Sequence, residues 1–241
     1  MAARGEYGDQ ERILWRHQFP GQTEVAVTAS DLQSLAPGVQ VCDAIVDSFG
    51  VILQKESMTG QKRKIKFVPV LQMLQMKMNK SACLTSLSKM DLFDTSANSC
   101  VLFPVHVGNN SGGGHWFLVT YTPSSSPSLL QVFNSLPIYQ ETESGRAVEL
   151  IRNTLVDLHA AMYKPRGEDW YRALEPPLVK HVKSPQQADG SQDCGIYTIF
   201  CMLHCAHGNP EEEPKFNDSP SSLLKMRRDI ERIVHRGYIE N

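Results

Sequence analysis

Apolar residues along this chain either recur at helical spacing, about 3.6, or gather in short runs between breakers, and the switches between the two mark its elements. The segment VQVCDAIVDSFGVILQ, from residue 39, repeats apolar positions at helical spacing, among them Val41, Ile45, Phe49 and Leu53. Ser30 followed by Gln33 has the form of a capping box ahead of it, so a core-facing helix is expected there. PVLQMLQMKMNK, from residue 69, sets Leu71, Leu74, Gln75 and Met78 on one face and predicts a second helix that buries them. CVLFPVHV at 100–107, HWFLVTYT from 115 and LLQVFN ending at 134 are short apolar runs separated by NNSGGG and PSSSPS. They read as three successive strands.

From Gly145, RAVELIRNTLVDLHAAMY returns to helical spacing, and PPLVKHV at 176–182 predicts a further strand. DCGIYTIFCMLHCAHG is apolar almost all round, which predicts a buried helix beginning near Cys194 and closed by Gly208. SSLLKMRRDIERIVHR predicts a last, amphipathic helix with Leu223, Met226, Ile230, Ile233 and Val234 inward. Residues 1–27 show no clear period and read as a partly ordered arm before a single domain at 28–241. There is no internal repeat.

Composition narrows the classes. A chain of 241 residues with 41% hydrophobic content is long enough for one sizeable core. A formal charge of −2 gives no bulk attraction to nucleic acid or to an anionic membrane. No apolar run reaches the length of a membrane span, and MAARGEYGDQER lacks the core of a signal peptide, so a soluble intracellular protein of nucleus or cytoplasm is expected. The basic cluster QKRKIK at 61–66 reads as a solvated loop, with a nuclear-import signal as the other reading. Six cysteines at irregular spacing imply reduced thiols rather than a disulfide framework. Asn109-Asn110-Ser111 matches a glycosylation acceptor by coincidence in a Gly-rich loop.

The candidate chemistry centres on one of those thiols. A cysteine at a helix start is activated by unpaired N–H groups, and it needs an imidazole to take its proton and a third group to orient that imidazole. Cys194 sits at such a start, with Gly195 beside it. His115 opens one strand, and Asn134 closes the next, so a hairpin makes them neighbours. Cys201, His204, Cys205 and His207 share a helix but read as core and helix-end residues rather than a zinc site. The acidic run Glu211 to Glu213 reads as a solvated loop.

This order of HW, a strand ending in a polar residue plus Ser, a Gln-containing loop and DCG before a buried helix resembles the Ulp1/SENP-type cysteine proteases, which process SUMO and related ubiquitin-like proteins. The resemblance runs from about residue 28 to the C-terminus. It implies an α+β papain-like fold of the Ulp1/adenain type, with a central mixed sheet against the helix that carries the nucleophile. It further implies Cys194 as nucleophile, His115 as base and Trp116 as the aromatic over a tunnel for a Gly-Gly tail. Asn134 stands where the family usually has Asp. Gln187, seven residues before Cys194, is the implied oxyanion donor and Gln186 its rival. TASDLQSLAPGVQVCDAIVDSF is similar to the family's opening segment and keeps Asp43 of a Trp-Leu-Asn-Asp motif, with Val41 and Cys42 replacing earlier residues. The implied partner is SUMO, NEDD8 or ubiquitin and its conjugates; no metal or organic cofactor is implied. A polypeptide-processing endopeptidase, an acyltransferase, or a modifier-binding module with weakened catalysis are the alternatives on the same residues.

Overall fold

The short apolar runs between breakers form strands. β3 (Lys64–Phe67), β4 (Ser99–Val107), β5 (His115–Thr122), β6 (Leu129–Phe133) and β7 (Leu178–Val182) lie in that order in one sheet. β4, β5 and β6 are antiparallel, whereas β3 joins β4 and β7 joins β6 in parallel, so the sheet is mixed. Alternation sorts the side chains of β4 and β5: Cys100, Leu102, Trp116 and Leu118 enter one core, and Val101, Phe103, Phe117 and Val119 the other. Near-continuous apolar strands are what a sheet covered on both faces needs. The computed structural model describes residues 12–18, 24–59, 63–96, 99–108, 114–136, 143–164, 173–208 and 212–239. The Asn109-Asn110-Ser111 pattern and Glu211 lie outside them.

Among the described residues three helices cover each face. α2 (Asp43–Thr59), α6 (Cys194–His207) and α7 (Pro220–Arg236) bury Ile45, Phe49, Ile199, Met202, Ile230 and Val234 against one side. α3 (Val70–Met78), α4 (Lys80–Leu87) and α5 (Glu143–Tyr163) bury Met73, Met76, Leu87, Ile151 and Leu155 against the other. The result is an α+β fold in which the helix starting at Cys194 packs on the central mixed sheet. No helix among the described residues is long and apolar enough to cross a membrane.

Several expectations change. Within 1–27, β1 (Ile13–Gln18) pairs antiparallel with β2 (Glu24–Thr28), a hairpin that the mixed charges obscured. The capping box ahead of the short helix α1 (Ala29–Leu32) is Thr28 with Asp31, not Ser30 with Gln33. The Thr28 hydroxyl accepts the Asp31 N–H, and Asp31 Oδ2 accepts the Thr28 N–H at 2.7 Å, because the chain leaves its strand at Thr28. Val41 is buried but precedes the helix, which opens at Asp43. Half of QKRKIK is strand: β3 includes Lys64, Ile65 and Lys66.

The inward face of α3 is also rotated. Gln72, Met73 and Met76 are buried, while Leu71, Leu74 and Met78 are exposed. Both faces of this helix are apolar, so periodicity cannot choose between them. The choice falls to an anchor distant in sequence, the Val70 N–H donated to buried Asp47 Oδ1 at 2.9 Å.

Candidate active site

β5 begins at His115 and β6 ends at Phe133, which pairs with Leu118, so Asn134 falls just past the ladder beside the start of β5. Both side chains are buried, and His115 Nε2 lies 2.7 Å from Asn134 Oδ1. That oxygen also accepts the Leu136 backbone N–H at 3.0 Å. An N–H only donates, which fixes the Asn134 amide orientation; its oxygen only accepts, so Nε2 carries the imidazole proton. Nδ1 is then the basic nitrogen.

Cys194 is the first residue of α6. Asp193 occupies the N-cap position without capping. Its carboxylate is turned to buried Arg227, which donates from Nη2 at 2.6 Å and Nε at 3.2 Å, and to the Ser191 hydroxyl. With no carboxylate over the helix start, backbone N–H groups of Cys194, Gly195 and Trp116 bear on the sulfur. The Trp116 amide brings the thiol to the residue that follows His115.

Burial nevertheless pushes the Cys194 thiol up, and it outweighs those donors and the Gln40 side chain. This reverses the expectation that the helix start alone depresses it: Cys194 is only 3% exposed, and desolvation disfavours the thiolate. His115 is shifted down, chiefly by burial, against the upward pull of its Asn134 bond. Both directions favour a neutral thiol beside a neutral imidazole at rest.

The wall over the sulfur is tight. Trp116 is buried rather than open, its Nε1 donating to Val41 O at 2.9 Å and its ring 4.7 Å from that of His106. A Cβ on Gly195 would lie 2.7 Å from Val41 Cβ and 3.4 Å from Trp116, so only glycine lets these segments close over Cys194. Asp43 is exposed at the start of α2, accepting the Ala44 N–H, lining a cavity with Glu24, Asp47 and Leu71, and bearing by its charge on His106.

The two loop glutamines differ in their bonding. Gln186 Nε2 donates to Asn134 O and Ser184 O, which uses both amide hydrogens. Gln187 donates one to Ser191 O and accepts the Ser135 hydroxyl at 3.0 Å; its second hydrogen has no partner among the described residues.

Gln40, Ser135 and Arg227 join this site without having been expected. Gln40 precedes the helical period and gives no signal. Arg227 does give one, since it shares the inner face of α7 with Ile230 and Val234. Elsewhere, the Cys201 thiol is pushed up to about 12 by burial, His204 Nε2 contacts Glu212 O, and His207 pairs with Glu56. Among the described residues no group of three or more His, Cys, Asp or Glu is placed to hold a metal.

Residues 54–237 match the model of the Ulp1 protease family, C-terminal catalytic domain. No curated protein matches the chain. Among solved structures, the SUMO protease Ulp1 with its catalytic cysteine oxidised to a sulfenic acid superposes with a TM-score of 0.66 at 17% identity, covering 93% of this chain and 88% of that one. The C-terminal Ulp1 protease domain in complex with Smt3, the yeast orthologue of SUMO, gives 0.64 at 16% identity, over 92% and 89%. The Xanthomonas campestris effector XopD bound to ubiquitin gives 0.52 at 8% identity, over 80% and 91%. At these identities the superpositions speak to the fold, which is of the Ulp1 type.

Proposed function

The chain belongs to the Ulp1 protease family and is a cysteine peptidase of ubiquitin-like proteins, and from this we propose that it hydrolyses the bond after the C-terminal Gly-Gly of SUMO or another such modifier. The observation that supports this most is that the Asn134-oriented His115 directly precedes Trp116, whose backbone amide meets the sulfur of the helix-start Cys194.

In the reaction, His115 Nδ1 takes the Cys194 proton as the sulfur attacks the terminal glycine carbonyl. The oxyanion forms at the α6 start, where the Cys194 N–H and the second Gln187 amide hydrogen stabilise it. The imidazolium returns its proton to the departing amine, leaving a thioester. Water, deprotonated by His115, then releases the modifier carboxylate and the thiol. Trp116 and Gly195 shape the passage for the narrow tail.

The test is hydrolysis of SUMO, NEDD8 and ubiquitin bearing a C-terminal amide-linked reporter. At least one is turned over by the wild-type chain and by neither Cys194→Ala nor His115→Ala. Turnover surviving in Cys194→Ala overturns the reading. Tight binding without turnover supports the other reading, a modifier-binding module, which the uncharged Asn134 and the neutral resting pair favour.

A further inference from the structure

Gln40 lies beside the reacting sulfur and has no part in the scheme above. Its amide nitrogen is 2.8 Å from Gly114 O, 3.4 Å from His106 Nε2 and 3.8 Å from Cys194 Sγ. The nitrogen has two hydrogens and only donates, one to Gly114 O and the other towards Cys194 Sγ, with the His106 ring nitrogen alongside. The strong bond to Gly114 O holds the amide in place, and Gly114 immediately precedes His115 in sequence.

The surroundings fix this position from three sides. A Cβ on Gly114 would fall 2.2 Å from His106 Nε2, so glycine alone lets the His106 ring close on this turn. Arg227 donates to Ser34 O, Ala36 O and Val39 O as well as to Asp193 Oδ1. One buried guanidinium therefore holds the residue before Gln40 and the residue before Cys194 in a single frame.

We propose that Gln40 is a catalytic donor: its amide N–H, anchored on Gly114 O, stabilises negative charge on Cys194 Sγ as the proton leaves for His115. This rests on Cys194 being the nucleophile. The backbone donors at the α6 start meet the sulfur from the helix side, and Gln40 meets it from the segment that precedes α2. Burial opposes the thiolate here, so each donor counts toward the small fraction of reactive sulfur. The titratable groups around this amide are Cys194, His115 and His106, with Asp43 and Lys77 acting on His106.

The experiment compares iodoacetamide labelling of Cys194, read by peptide mass across pH 5.5–10, in the wild-type chain, Gln40→Met and Gln40→Glu. Gln40→Met keeps the length and removes the donor, so the labelling midpoint moves to higher pH and the rate at pH 7.5 falls about fivefold, the factor of an ordinary hydrogen bond. Gln40→Glu sets an acceptor and a charge against the sulfur, so its fall is larger. Reporter turnover falls in kcat with KM little changed. Superimposable labelling curves for the wild-type chain and either variant, at equal thermal stability, overturn the inference. Normal Gln40 dependence of labelling with no modifier cleaved would leave this inference standing and remove the proposed function.

Discussion

Replacing Asn134 by Asp tests the electrostatics of the pair most sharply. Asn134 Oδ1 is 2.7 Å from His115 Nε2, so Asn134→Asp sets a formal negative charge in hydrogen-bond contact with the imidazole without changing its shape. An opposite charge at this range raises a histidine by about one to three pKa units. Each unit multiplies the thiolate–imidazolium fraction about tenfold while the neutral form predominates, as it does with Cys194 shifted up and His115 down. The carboxylate must be desolvated, since Asn134 is 2% exposed, although the Leu136 N–H donates to it. The lower end follows: about a tenfold faster labelling of Cys194 by iodoacetamide between pH 6 and 7.5. Cys42, half-buried, is replaced by Ser so that it does not compete, and labelling is read on the Cys194 peptide by mass, since the other cysteines are buried as Cys194 is. The buried charge lowers the melting temperature by several degrees. Unchanged or slower Cys194 labelling in a folded Asn134→Asp protein would refute the neutral-pair description.

Other outcomes follow from the same interactions. Gln187→Ala lowers kcat about 100-fold or more, as loss of an oxyanion donor does, whereas Gln186→Ala, whose amide is used by Asn134 O and Ser184 O, acts mainly on stability; equal kcat losses in reporter assays would contradict this division. Asp47, pushed up from 3.8 to about 8 by burial, binds its proton more tightly in the folded chain than in the unfolded one. The contribution of Asp47 to stability is therefore fully present below about pH 4 and is lost as pH rises towards 8. Asp47→Asn keeps the acceptor for the Val70 N–H and stabilises the protein at pH 7.5 by about 2–5 kcal/mol, flattening the decline in denaturant midpoint between pH 5 and 8. An unaltered pH slope would exclude Asp47 as its source.

Period and punctuation made the sheet legible: β4, β5 and β6 are apolar runs between Gly- and Ser-rich breaks, and α6 is apolar on every side. The juxtaposition of His115 with Asn134 was legible because a hairpin joins strand ends that lie close in sequence. What escaped depends on contacts distant in sequence. The orientation of α3 is set by Asp47, on another helix, and the direction of the Cys194 shift depends on how fully Val41 and Trp116 cover the sulfur. Gln40 gave no signal because a polar residue ahead of the buried helical positions does not reveal its partners, Gly114 and Cys194, which are distant in sequence. Arg227, on an apolar stripe, was visible as an anomaly, but its partners, Asp193 and the carbonyls of Ser34, Ala36 and Val39, come from two distant segments.

The most direct measurement of the central claim is covalent trapping. SUMO, NEDD8 and ubiquitin, each with a thiol-reactive electrophile in place of the terminal carboxylate, are incubated with the wild-type chain and with Cys194→Ala, and the adduct is mapped by peptide mass. The account predicts that at least one modifier forms a stoichiometric adduct on Cys194, absent from Cys194→Ala and slowed in His115→Ala. No adduct with any modifier, or an adduct on a different cysteine that persists in Cys194→Ala, would contradict it.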